Sequence, residues 1–289
     1  MVQDKITTND DLPHTAFPKK ALLEPVVKAD GKGGFIKQAW YCRSYIGGGG
    51  FGKCYHWILY DTDTNKVVKS VVSKNMDLSA SDWNDRRTWS SPYTPGGVLS
   101  EVYIHQRLSQ TGNTSILPYL GYKLDKKKYQ AKIYTSYSNR GELFGLMKHY
   151  NRMSHRAGTP CPIPEPYIWH VANSLLNSMN CMYSGATNKN IAGPGEWVEV
   201  VHLDFKAHNL LLFDPDPKDR IASKYHWPSV KVIDFGLARE LRDDFANPRD
   251  YKGPGTTDFR APEQRGRDNA TNSLPFSCAT DVWGLGTNY

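Results

Sequence analysis

The sequence predicts an α+β chain in which a strand-rich first part precedes a mainly helical second part. Three observations carry that expectation. Between Ala39 and Val72, runs rich in aromatic and β-branched residues are separated by a glycine cluster and a polar turn. One helix-like segment, Val98 to Leu108, is followed by two further strand-like runs at 116–122 and 130–137. Beyond them, apolar residues between Tyr167 and Tyr183 fall at helical spacing. At 289 residues, 39% of them hydrophobic, the chain can bury a sizeable core as one large domain or two lobes.

Composition narrows the function classes. No run of about 18 uncharged apolar residues exists, so no membrane-spanning helix is expected. The opening Met1-Val2-Gln3-Asp4-Lys5 lacks the apolar stretch of a signal peptide. Five widely spaced cysteines (Cys42, Cys54, Cys161, Cys181 and Cys278) fit neither a disulfide framework nor a zinc site. They favour a reducing, intracellular setting, cytoplasmic or nuclear. The net charge of +7 is spread out, with Lys126-Lys127-Lys128 its longest basic run, so a solvated surface is expected rather than a nucleic-acid face.

In chain order, residues 1–38 carry Pro13, Pro18 and Pro25 and little periodicity, and are expected to form an irregular extension. A strand from Ala39 to Ile46 enters Gly47-Gly48-Gly49-Gly50-Phe51-Gly52, and a second leaves it from Lys53 to Tyr60. Asp61 to Asn65 turns the chain into a third strand, Lys66 to Val72. Glycines 47, 49 and 52 satisfy G-x-G-x-x-G, whose backbone N–H groups can close over phosphates. Because Cys54-Tyr55-His56-Trp57 follows rather than a helix, a strand–loop–strand flap is expected, not a dinucleotide-binding turn. Ser73 to Gly97 is polar and reads as an insertion. Glu101 lies on the helix at Val98 to Leu108, and Leu143 to Tyr150 is expected to form a short helix after a turn at Ser138 to Glu142. Ile168, Val171, Ala172, Leu175, Leu176, Met179 and Met182 form the core stripe of the next helix, and 185–196 is loop.

The chemistry concentrates between Val200 and Glu240. An apolar run leads into a loop with Asp204, Lys206 and Asn209, and a second apolar run ends at Asp234. An aspartate to take a hydroxyl proton, a lysine to neutralise phosphate and two oxygen donors for a divalent cation are what phosphoryl transfer from a nucleotide needs.

Taken together, these motifs resemble the eukaryotic protein kinase family, over about Ile46 to Gly286. The resemblance implies a bilobal fold, with an extension at 1–38, an N-lobe at 39–137 built on an antiparallel sheet plus one helix, and a mainly helical C-lobe from 138 to 289. It implies ATP and Mg2+ as cofactors and a protein hydroxyl as acceptor, with no nucleic-acid or membrane partner. Gly47, Gly49 and Gly52 match the glycine-rich loop, with Ile46 and Cys54 as the apolar lid over adenine. Lys69, on a strand face shared with Val67, matches the lysine that grips the phosphates. Lys74, in Val71-Val72-Ser73-Lys74, also fits that pattern but needs a longer hairpin, so strand geometry favours Lys69. Glu101 matches the glutamate that pairs with the lysine, Thr135 the gatekeeper before a hinge at Ser136-Tyr137-Ser138, and Glu142 a residue near the ribose. Ser138 and Leu211 are further expected nucleotide contacts.

His202-Leu203-Asp204-Phe205-Lys206-Ala207-His208-Asn209 is similar to the catalytic loop, with Asp204 as base and Lys206 of serine/threonine type. Asn209 and Asp234 match the metal ligands. Gly255 to Glu263 is similar to the end of the activation segment, where Thr256 would bridge Asp204 and Lys206. Asp281 matches the buried aspartate that ties down the loop. Leu203 departs from the family, which has arginine there to pair with a loop phosphate, so phosphorylation of Tyr251, Thr256 or Thr257 is expected to be dispensable. The family continues with further helices beyond Tyr289, so the C-lobe is expected to be partial. The competing expectation is a pseudokinase-like scaffold or an inactive fragment.

Overall fold

A computed structural model describes residues 27–29, 35–50, 52–61, 64–90, 93–185, 197–241, 255–265 and 276–287. Most of the expected extension at 1–38, most of the loop at 185–196, and Tyr251 fall outside these residues. The chain divides into two compact units. The first takes the residues up to Asn84 together with Tyr119–Tyr137, and the second takes Asp85–Pro118 and Ser138 onward. The helix expected to belong with the N-terminal sheet therefore groups with the second unit.

The first unit is a six-stranded antiparallel sheet. Its strands are β1 (Val27–Ala29), β2 (Phe35–Gly49), β3 (Gly52–Asp61), β4 (Lys66–Asp77), β5 (Tyr119–Asp125) and β6 (Gln130–Ser136), in the order β1-β2-β3-β4-β6-β5. A five-residue helix, α1 (Ala80–Asn84), follows β4. Alternation along β3 and β4 sets one face: Tyr55, Trp57, Leu59 and Val71 bury together with Trp40. Ser73 continues that buried face because its hydroxyl accepts from Trp57 Nε1 at 3.1 Å. A polar residue with a partner costs the core little. As a result β4 runs past the expected end at Val72 to Asp77.

The second unit is built around α4 (Glu165–Ser184), with α2 (Ser100–Gln110), α3 (Leu143–Ala157), α5 (Arg220–Tyr225) and α6 (Cys278–Gly286). Two short antiparallel ladders complete it, β7 (Val200–Val201) with β10 (Arg239–Glu240), and β8 (Leu210–Phe213) with β9 (Ser229–Val232). The stripe on α4 behaves as its spacing predicts, with Val171, Leu175, Met179 and Met182 buried in the unit's main core. Ile168 and Ala172 are half-buried, and Leu176 is exposed. α3 is longer than expected and ends where Gly158 adopts φ 67°, a left-handed cap that suits glycine. Val98 lies outside α2 and is exposed, whereas Val102, Ile104, His105 and Leu108 form its buried face.

Candidate active site

In the first unit, the glycine-rich stretch forms the strand–loop–strand flap that the sequence suggests. Gly47 pairs with Cys54, Gly48 with Lys53 and Gly49 with Gly52. Gly52 is glycine for an internal reason: at φ +126° a Cβ there would meet Asn75 O at 2.5 Å. Gly47 and Gly49 have no such reason, since a Cβ on either meets nothing within 4 Å. Bare backbone beside open space is what a phosphate group needs for close approach, so this flap fits a nucleotide. Ile46 is about half exposed beside it.

The register bears on the choice between the two lysines. Cys54 pairs directly with Lys74, and Lys74 with Ile133. His56 pairs with Val72, and Val72 with Thr135. Residues directly opposite each other share a face, so Cys54, Val72, Lys74 and Thr135 lie on one side of the sheet. Lys69 pairs with Leu59, on the face opposite Cys54 and five residues further along β3, roughly 17 Å away at the usual strand rise. Val67 pairs with Tyr60 and is 43% exposed, further still from the lid. The longer hairpin that Lys74 requires is present, because β4 extends to Asp77. The same face carries a residue the sequence did not flag. His56 is buried and stacks on Tyr137 with ring centroids 3.6 Å apart. Burial, reinforced by Arg43, pushes its pKa down to about 4, so the ring is neutral at physiological pH.

In the second unit, the catalytic loop converges on Asp204, which is 6% exposed. Its Oδ2 accepts from Lys206 Nζ at 2.7 Å and from Asn209 Nδ2 at 3.0 Å. Its Oδ1 accepts from the Thr256 amide at 2.9 Å and from Thr256 Oγ1 at 2.8 Å. Lys206 Nζ also donates to Thr256 Oγ1 at 2.6 Å, so the threonine bridges the aspartate and the lysine. Gly255, at φ +91°, allows this approach: a Cβ there would lie 2.5 Å from Leu203 O. All four acceptor positions of the carboxylate are therefore filled.

Asn209 and Asp234 are linked through Ile233, the residue before Asp234, whose amide donates to Asn209 O at 3.0 Å. His202, fully buried, reaches Ile233 O with Nε2 at 2.9 Å, while its Nδ1 accepts from the Asp204 amide at 3.3 Å. This pattern places the imidazole proton on Nε2. Asn209 turns its amide nitrogen toward Asp204, at both O and Oδ2, which leaves Oδ1 as its outward oxygen. With the Asp234 carboxylate, held at φ 62°, that makes a pair of hard oxygen donors. Such a pair fits Mg2+, which commonly takes one or two protein oxygens and completes its shell with phosphate and water. Among the described residues no cluster of three or more His, Cys, Asp or Glu competes for a metal.

Asp281, on α6, braces the loop from behind. Its Oδ2 accepts from the His202 amide at 2.8 Å and its Oδ1 from the Leu203 amide at 2.9 Å. Burial raises its pKa from 3.8 to about 6 against the lowering effect of His202 and the two amides. A raised folded-state pKa means that the folded chain holds this proton more tightly than the unfolded chain does. Stability from this group is therefore complete below pH 4 and is lost as pH rises through 6. Relative to Asp281→Asn, which cannot ionise, the wild-type unfolding free energy is expected to fall by about 3 kcal/mol over that window and then level off. Urea unfolding of both proteins from pH 4 to 8 checks this; a constant difference contradicts it.

Of the other expected residues, Glu101 is half-buried on α2 in the second unit. Ser138 is not offered as a side-chain contact: its hydroxyl lies 2.5 Å from Leu212 O and 3.1 Å from Gly141 O, and it accepts from the Gly141 amide. Glu142 caps α3 and bridges backbone-to-backbone with the half-buried Leu211. Leu203 is 3% exposed and sits at φ 66°, an uncommon conformation for leucine.

Comparison with known proteins bears on the same residues. The protein kinase domain family matches residues 41–288. The chain is 25% identical over 256 residues to the Saccharomyces cerevisiae serine/threonine-protein kinase BCK1/SLK1/SSP31, covering 88% of this chain and 14% of that protein. It is 34% identical over 89 residues to human mitogen-activated protein kinase kinase kinase 11, covering 31% of this chain and 9% of that one. It is 25% identical over 194 residues to the Schizosaccharomyces pombe G2-specific protein kinase fin1, covering 65% and 23%. The chain thus spans well under a quarter of the length of the yeast and human relatives named first. With the family matched across most of the sequence, and its motifs gathered on the loop around Asp204, the chain belongs to the eukaryotic protein kinase family.

Proposed function

We propose that this chain is an ATP- and Mg2+-dependent serine/threonine protein kinase that transfers the γ-phosphoryl group to a protein hydroxyl. The observation that carries the reading is the closed set Asp204–Lys206–Thr256–Asn209. Asp204 accepts the proton of the incoming hydroxyl as its oxygen attacks phosphorus and the bond to the ADP oxygen breaks. Since its four acceptor positions are filled, the substrate hydroxyl must displace a donor. Thr256 Oγ1 is the one that swings away by a single bond rotation. Lys206 then offsets charge on the moving phosphoryl group. Asn209 Oδ1 and the Asp234 carboxylate would hold Mg2+, which would neutralise phosphate charge when bound. The flap glycines 47 and 49 and Lys74 take the nucleotide phosphates, while Cys54, Val72 and Thr135 take the base. Lysine at 206 and threonine at 256 support the serine/threonine class.

Thermal unfolding with ATP, with and without Mg2+, tests the nucleotide site. Ligand at ~100 times its Kd contributes about 2.7 kcal/mol, a midpoint rise on the order of 5 °C or more for a protein of this size. Asp234→Asn is expected to abolish the part that needs Mg2+. No shift with either ligand contradicts the proposal.

A further inference from the structure

Arg107 belongs to no part of the chemistry described above, yet it is one of the most committed side chains in the second unit. It projects from the last turn of α2 and forms an ion pair with Glu240, the two side chains being 16% and 13% exposed. Its Nη2 donates to Val198 O at 2.9 Å, and its guanidinium lies 3.8 Å from the centroid of the Trp197 ring. Trp197 is itself fixed, donating from Nε1 to Met182 O on α4 at 2.9 Å. Glu240 belongs to β10, a few residues beyond Asp234-Phe235-Gly236. β10 pairs with β7, directly before the catalytic loop, and the Leu241 amide extends the ladder to Glu199 O at 2.8 Å. On its other side the same short segment is apolar: Leu237 and Leu241 pack against buried Leu203, Val201 and Phe276.

We propose that Arg107 is a positioning residue that locks β10 to α2, and that with the Leu203 cluster it holds the segment after Asp234 in register. The proposal rests on the kinase reading above and adds a positioning residue to it. Arginine suits the task because one planar group makes the ion pair, the carbonyl bond and the ring stack together; lysine has donors for the first two but no plane to lay on the ring. The leucine at 203 supplies the other half: its side chain anchors the same segment by apolar contact.

The test is a double-mutant cycle on Arg107→Ala and Glu240→Gln, read by kcat at saturating ATP and Mg2+ on protein shown to be folded, and by hydrogen exchange at the amides of residues 239–241. Each single change is expected to lower kcat by about tenfold or more, since misplacing a reacting group by ~1 Å costs up to ~100-fold. The double variant is expected to lose no more than either single one. Arg107→Lys is expected to recover only part of the rate. Exchange at 239–241 is expected to accelerate in the same coupled pattern. Losses that multiply, or a lowered melting point with kcat intact, overturn the lock. A wild-type chain that transfers no phosphoryl group overturns the kinase reading instead, and coupled or uncoupled exchange then decides the lock by itself.

Discussion

Asp204→Asn is expected to lower phosphoryl transfer by on the order of 10³-fold, within the range for loss of a general base, while the ATP-dependent thermal shift persists. The two expectations separate because Asp204 is proposed to meet the acceptor hydroxyl, whereas the flap glycines and Lys74 lie on a different unit of the chain. The substitution also has a structural cost. Aspartate receives four donors here, from Lys206, Asn209 and twice from Thr256. Asparagine can turn its oxygen to one pair only, and its amide then faces the donors of the other. That mismatch is expected to cost about 1–3 kcal/mol of stability. Assays therefore belong well below the variant's melting point, where folded fractions match.

The second large effect concerns the phosphate lysine. Lys74→Met keeps the apolar stem and removes the charge, and is expected to lower kcat/KM by about 10²–10³, the scale seen when a preorganised donor to developing charge is lost. Lys69→Met is expected to change activity by less than about twofold and stability by under ~0.5 kcal/mol, because Lys69 is exposed on the opposite face of the hairpin. Steady-state kinetics on both variants decide the matter. A large loss at Lys69 with little at Lys74 would contradict the register argument.

That lysine shows where the sequence was legible and where it was not. The flap, α4 and the loop around Asp204 each have a local signal: glycines between aromatic strands, an apolar stripe of helical period, acidic residues closing apolar runs. β4 hid its length because Ser73 and Asn75, although polar, are buried in the strand, and Ser73 is tolerated there through a bond to Trp57, sixteen residues earlier. No window of local sequence carries that partner. The expected α3 stops short for a related reason: past Tyr150 the helix is mostly exposed and, apart from Met153 and Ala157, polar, so the readable stop signal is Gly158. α5 is a six-residue helix whose cue is its cap, Asp219, accepting from the amides of Ile221 and Ala222. That position 203 holds leucine, where the family resemblance implies arginine, is legible in the sequence; that it is an apolar anchor is not, since Phe276 lies far along the chain.

The measurement that bears most directly on the account is transfer of label from γ-labelled ATP, with Mg2+, to a generic protein substrate by the wild-type and Asp204→Asn proteins at equal nucleotide occupancy. The account predicts label on serine and threonine with the wild type and a fall of about 10³-fold with the variant. Equal transfer by the two proteins would contradict it.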